Sequence, residues 1–127
     1  MSYIFAGSVP SDICCAKAFI NLATSSLQSL IYDEEVSFDI RLIIQELMMN
    51  GVVHGNGLNR DKYVSLGINY GSHCLKIKVQ DEGPGIEPKE EDCDIAMKCN
   101  GRGLEIVRAL SDSVELNGNE VIAIKSI

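Results

Sequence analysis

The chain has 127 residues, 46% of them hydrophobic, and its 11 basic and 18 acidic side chains leave a formal net charge of −7. This length suits one domain with a substantial core, which we place at residues 1–127, and no apolar run approaches the roughly 18 residues of a membrane span. The acidic balance argues against a nucleic-acid surface that works by neutralising phosphates, so neither a membrane nor a nucleic acid is an expected partner.

The first residues and the cysteines bear on the cellular compartment. The N-terminal stretch has no basic segment followed by a long apolar one, so it does not resemble a secretory signal and a cytoplasmic location is expected. The 5 cysteines are an odd number, and no two of them have C-x-x-C spacing. This usage favours reduced thiols over a disulfide framework and argues against a structural zinc site.

A short strand and a helix are predicted in the N-terminal part of the chain. The strand is placed at Ser2–Ala6. Apolar residues then recur at helical spacing from Ile13 onwards. They predict a first helix at 11–31, for which Ser11 or Asp12 can serve as the N-cap.

A second helix is predicted at 37–54, with Ser37 or Asp39 as its N-cap and glycines at its end. Glu46 and Asn50 lie one turn apart on its otherwise apolar side. The apolar arc around them holds Leu42, Ile43, Leu47, Met49 and Val53. A carboxylate and an amide turned towards the interior without partners would cost roughly 1–3 kcal/mol, which favours a bound ligand; a water or a local bond is the simpler alternative.

Alternating apolar and polar residues predict two antiparallel strands, Tyr63–Tyr70 and Cys74–Asp81, joined by a short turn at Gly71-Ser72. In the second strand the apolar residues share one parity with Asp81. The Asp81 carboxylate is therefore expected to face the core side of the sheet. Taken alone, Asp81 could equally begin an Asx turn at the Glu82-Gly83 corner.

Residues 82–100 are rich in glycine, proline and acidic residues, and we predict a long loop there. A third helix is predicted at Gly101–Leu110. The strands Ser113–Leu116 and Glu120–Lys125 then flank a hairpin signal at Asn117-Gly118. This order of elements predicts an α+β fold, a two-layer sandwich with helices on one face of a mixed, mainly antiparallel sheet.

Three motifs occur in order along the chain. They are Glu46-x-x-x-Asn50 with His54-Gly55-Asn56, then Asp81-Glu-Gly-Pro-Gly85, then Gly101-Arg-Gly-Leu104. In this order and spacing they resemble the ATP site of the GHKL superfamily, whose fold is the Bergerat, or histidine kinase-like ATPase, fold. The resemblance covers residues 36–127, and the Gly-Arg-Gly-Leu form with a short lid is most similar to bacterial anti-sigma factor serine/threonine kinases of the anti-sigma regulatory factor type.

The resemblance implies catalytic and metal-binding roles on the second helix. Glu46 is expected to be the general base that takes a proton from an attacking hydroxyl. Asn50 is expected to bind magnesium together with the ATP phosphates, a role that suits a neutral carbonyl oxygen. His54 is more simply explained as a structural residue at the helix end.

The other motif residues are expected to contact ATP. The resemblance implies that Asp81 accepts a hydrogen bond from the exocyclic amine of adenine. Gly83 and Gly85 permit close approach of the backbone to the nucleotide. Backbone amides at a helix start favour phosphate oxygens, and the residues expected to contact phosphate there are Gly101, Arg102, Gly103 and Leu104.

The implied function is that of an ATP- and magnesium-dependent serine/threonine kinase. Its expected partners are a sigma factor, which it binds, and an anti-anti-sigma antagonist of the STAS type, which it phosphorylates; a homodimer is left open. Three alternatives stand beside it: an ATP-binding regulatory module that sequesters a partner without kinase activity, an ATPase subunit of a larger signalling assembly, and a purely structural α+β domain.

Overall fold

The computed structural model describes residues 2–83 and 103–127, and the predicted loop at 82–100 therefore falls almost entirely outside the described residues. Within those two ranges, three α-helices pack against a five-stranded sheet. The elements are β1 (Tyr3–Pro10), α1 (Ile13–Gln28), α2 (Glu34–Met49), a π-helical turn (Asn50–Gly55), β2 (Tyr63–Gly71), β3 (Cys74–Gln80), α3 (Gly103–Leu110), β4 (Ser113–Asn117) and β5 (Glu120–Ser126).

The sheet has the strand order β1-β2-β3-β5-β4, and each of its four strand pairs is antiparallel. The predicted α+β two-layer fold is confirmed, with no parallel pair in the described part of the sheet. Both predicted hairpins form, but each turn lies one residue later than expected. Ser72 and His73 form the β2–β3 turn with positive φ angles of 53° and 61°, and Asn117 pairs with Glu120.

Alternation along the central strands places one face of the sheet against the helices. Val64, Leu66 and Ile68 of β2 point into the core, and the polar residues between them face the other side of the sheet. The same pattern holds in β3. Burial of these apolar side chains against α1 and α2 is the main force that holds the two layers together.

The helix starts follow their capping residues. Asp12 caps α1 as predicted, since its Oδ1 accepts a hydrogen bond from the Cys15 amide at 3.0 Å. The predicted start of the second helix at Ser37 or Asp39 is wrong. Asp33 caps α2 by accepting from the amides of Glu35 and Val36, and acidic residues in the first turn complement the helix dipole.

The second helix does not remain α-helical to its end. After Met49 it continues as the π-helical turn Asn50–Gly55, in which the Asn56 amide donates to the Gly51 carbonyl five residues earlier, at 2.8 Å. Such turns hold one more residue than an α-helical turn and often occur at functional sites. This turn faces the point where β3 ends.

No helix in the described part of the chain is long and apolar enough to cross a membrane.

Candidate functional site

The candidate site begins where the π-helical turn meets the end of β3. A Cβ atom added to Gly51 would be 3.1 Å from the Val64 side chain of β2 and 3.6 Å from the Cβ of Asp81, which follows β3. At Gly55 an added Cβ would overlap the Asp81 carboxylate itself. The turn therefore packs against Asp81 most closely at Gly55, and this contact requires the absence of a side chain.

Gly83 makes a second close approach to the same turn. A Cβ atom added to Gly83 would overlap the backbone carbonyl of Gly55, so the two backbones pass each other without room for a side chain. The close approach at Gly83 is made to the Gly55 backbone, and the predicted approach of Gly83 to the nucleotide stays a prediction. Gly85, predicted for the same purpose, lies outside the described residues.

One carboxylate oxygen of Asp81 accepts an internal hydrogen bond, and the other packs beside Gly55 without a hydrogen-bond partner among the described residues. The Asp81 Oδ1 accepts from the Gly83 amide at 2.7 Å, which is the Asx turn that the sequence also allowed. Within the described ranges, its Oδ2 accepts no hydrogen bond. Burial raises the pKa of Asp81, and the Gly83 amide opposes that rise by stabilising the charged form,.

Glu46 and Asn50 lie next to the core but not inside it. Both are half-buried, whereas their neighbours Ile43 and Leu47 are 0% and 2% exposed. The expectation that the pair points fully into the interior is therefore corrected: both side chains lie at the edge of the apolar face, where water or a ligand can reach them. Neither side chain makes a hydrogen bond to any residue the structure describes.

Asn56 is a buried residue of the site, and its hydrogen bonds to other segments could not be predicted from the sequence. It is 4% exposed, and its Nδ2 donates to the Ser11 hydroxyl at 2.8 Å and to the Tyr63 carbonyl at 3.1 Å. Its Oδ1 accepts from the Glu82 amide at 2.7 Å. The only sequence signal was an asparagine between two glycines after a helix, which is also typical of an ordinary helix end.

The glycine-rich motif before α3 is described only in part. Gly103 is the first residue of α3, and Leu104 packs against the hydrophobic core. Through this core contact α3 lies beside α2. The predicted contacts of Gly101 and Arg102 lie outside the described residues, and the roles given to Gly103 and Leu104 stay predictions.

The chain is similar to one known protein family and to a solved structure. Residues 10–125 match the family described as the histidine kinase-like ATPase domain, and no curated protein matches the chain. Among solved structures, the histidine kinase domain of the Erythrobacter litoralis EL346 blue-light activated histidine kinase is similar, with a TM-score of 0.52 and 23% sequence identity. The match covers 86% of this chain and 58% of that one, and at this identity it shows the fold alone.

Proposed function

The chain belongs to the histidine kinase-like ATPase domain family, and from this premise we propose that it is an ATP- and magnesium-dependent serine/threonine kinase of the anti-sigma factor type. Membership of this family implies that the chain binds ATP. The kinase would bind a sigma factor and phosphorylate a serine or threonine of a STAS-type anti-anti-sigma antagonist. One observation carries the proposal: Glu46 near the end of α2 and Asn50 at the start of the π-helical turn, whose side chains bond to no residue in the described ranges, lie next to the turn that packs against Asp81.

Asp81 is the proposed contact to adenine. Its Oδ1 is held by the Gly83 amide, which leaves Oδ2 to accept a hydrogen bond from the exocyclic amine of the base. A hydrogen bond to a charged acceptor contributes about 1.5–3 kcal/mol. The half-buried position of Asp81 would strengthen this contact, because less water competes for the carboxylate there.

Asn50 is the proposed protein ligand for magnesium. Its side-chain oxygen is a neutral hard donor, it accepts no hydrogen bond from a described residue, and its half-buried position leaves it accessible, so the residue fits the ion. Magnesium commonly keeps several waters and binds one or two protein groups together with substrate phosphates. When bound, the ion would neutralise the charge on the β- and γ-phosphates.

Glu46 is the proposed general base, one helical turn before Asn50. Its carboxylate would accept the proton of the antagonist's serine or threonine hydroxyl, whose oxygen forms a bond to the γ-phosphorus. The bond between that phosphorus and the β–γ bridging oxygen breaks, and ADP leaves. Positioning and charge stabilisation supply most of the rate in such transfers, and the amide of Gly103 at the start of α3 would add a phosphate contact.

The proposal is tested with γ-labelled ATP, magnesium and STAS-type antagonists from the source cell. The expected result is label on a serine or threonine of one antagonist, together with ATP-dependent recovery of a sigma factor in a pull-down. Binding of ATP with no labelled protein would contradict the kinase and favour the sequestering module. Steady hydrolysis of ATP without any acceptor would instead favour an ATPase subunit.

A further inference from the structure

Asn56 joins three segments that are distant in sequence. Its Nδ2 reaches Ser11 at the end of β1 and the Tyr63 carbonyl at the start of β2, and its Oδ1 reaches the Glu82 amide after β3. Ser11 is itself fully buried and donates from its hydroxyl to the Lys62 carbonyl at 2.8 Å. Each polar atom of the Asn56 side chain is therefore used inside the protein.

The segment that Asn56 holds is the one that carries Asp81. The Glu82 amide is bound by Asn56, and the Glu82 carboxylate accepts in turn from the Tyr63 amide. On the other side, the Asp81 amide donates to the Asn119 carbonyl at 3.1 Å. The backbone at Asp81 is thus held at two successive amides, and its carboxylate is restrained in turn by the Gly83 amide and by the contact with Gly55.

We propose that Asn56 is a positioning residue that sets the preference of the site for adenine over guanine by holding Asp81 in place. This inference rests on the proposed function, in which Asp81 accepts from the adenine amine. Guanine presents a carbonyl oxygen where adenine presents that amine. A carboxylate held in place repels the carbonyl, whereas one that can move away tolerates it.

Asparagine is suited to this position because the site needs two donors and one acceptor from a single short side chain. Aspartate would supply no donor and would face the Tyr63 carbonyl with a negative charge, and serine would supply one donor only. Because the Glu82 amide is half of the tether around Asp81, loss of the Asn56 side chain frees Asp81 on that side.

The test compares Asn56→Ala with Thr24→Val, measuring dissociation constants for ATP and GTP with magnesium by calorimetry. Thr24 is a matched control: it is 1% exposed and its hydroxyl donates to the Ile20 carbonyl at 2.8 Å, within α1. Asn56→Ala is expected to weaken ATP binding roughly tenfold and to tighten GTP binding by a smaller factor, because Asp81 can then move away from the guanine carbonyl. Thr24→Val is expected to lower the Tm with the ATP-to-GTP preference intact.

A double variant shows whether Asn56 acts through Asp81. In an Asp81→Asn background, Asn56→Ala is expected to cause no further change in the ATP-to-GTP preference, since residues that act as a unit are not additive. Ser11→Ala, a milder change, removes one acceptor of Asn56 and is expected to shift the preference in the same direction by a smaller factor. It serves in place of Asn56→Ala if that variant does not fold.

The outcomes separate this inference from the proposed function. A folded Asn56→Ala or Ser11→Ala variant that keeps the wild-type preference for ATP would overturn the positioning role and leave the kinase proposal standing. An equal shift in Thr24→Val would also overturn it, because general destabilisation would then explain the effect. A wild-type protein that binds neither nucleotide would contradict the proposed function and the inference with it.

Discussion

The two walls of the candidate site are organised in opposite ways. The sheet wall, formed by Asp81 and the residues up to Gly83, is held by hydrogen bonds and by backbone contacts with the π-helical turn. The helix wall, formed by Glu46 and Asn50, has a fixed backbone, but its two side chains bond to no residue that the structure describes. One wall is preorganised, and the other presents unengaged polar groups.

This difference indicates that the sheet wall would recognise the nucleotide and the helix wall would catalyse phosphoryl transfer in the proposed kinase. Preorganisation of a recognition group lowers the entropy lost on binding and sharpens discrimination between ligands. In the proposed kinase, Glu46 and Asn50 would gain their partners when nucleotide, metal and acceptor are present. Their interactions would therefore change the rate of phosphoryl transfer more than the affinity for ATP. Substitutions on the helix wall should therefore change catalysis, and substitutions on the sheet wall should change binding.

The largest expected effect is on the helix wall. Glu46→Gln removes the proposed base and is expected to lower phosphoryl transfer by roughly 10²- to 10⁴-fold while ATP affinity stays within about twofold, because general-base catalysis contributes on that scale. Single-turnover transfer from labelled ATP measures the rate. Glu35→Gln, on the exposed side of the same helix, makes the same charge change and should transfer normally; equal transfer by both variants would remove Glu46 from the mechanism.

A smaller effect is expected for Asp81→Asn on the sheet wall. The asparagine oxygen can still accept from the Gly83 amide, but its NH₂ group replaces Oδ2, which accepts from no described residue, and opposes the adenine amine. ATP affinity is expected to fall about 10- to 100-fold, as measured by calorimetry with magnesium. Unchanged affinity would show that the base is recognised elsewhere.

Gly55→Ala is expected to weaken ATP binding by roughly tenfold or less, a loss of about 1.4 kcal/mol at most, by displacing the Asp81 carboxylate that the new Cβ would overlap,. Gly67→Ala is the matched control, because nothing lies within 4 Å of a Cβ added there. The same titration applied to both variants separates them. If the two bind ATP equally, the contact between Gly55 and Asp81 has no bearing on the nucleotide.

The smallest expected effect is on stability without nucleotide. Burial raises the Asp81 pKa above its ordinary 3.8. The ionised carboxylate therefore lowers the free energy of unfolding. This loss of stability is absent below pH 3.8 and develops as the pH rises through the folded-state pKa. Asp81→Asn is therefore expected to have the higher Tm at neutral pH, with a difference that shrinks as the pH is lowered. A difference that instead grows on acidification would contradict the direction of the shift.

Features that repeat locally were predictable from the sequence. Helical spacing indicated α1 and α2, and the parity of β3 placed Asp81 on the core side, because both patterns depend on the geometry of one element. The start of α2 was misplaced because Asp33, Ser37 and Asp39 are all acceptable caps by type. The chain alone does not reveal which of them begins the helix.

The hydrogen bonds that hold the site together could not be predicted in the same way. The partners of Asn56 lie 45, 7 and 26 residues away from it, and no local pattern encodes contacts at such separations. The half-buried position of Glu46 and Asn50 depends in the same way on how α2 is seated on the sheet. The roles given to the nine motif residues remain predictions drawn from resemblance.

The π-helical turn carries a consequence for how this chain tolerates changes in length. Each residue of an α-helix advances the chain by about 100°, and a π-helical turn holds one residue more. Deletion of a single residue between Asn50 and Gly55 would let the segment return to ordinary α-helical winding. Because the wider turn already takes up the additional residue, Asn56 would still face Ser11 and the Glu82 amide after such a deletion, whereas α-helical winding of all six residues would turn Asn56 about 100° away. The site therefore depends on the winding of this turn as well as on the identity of its residues.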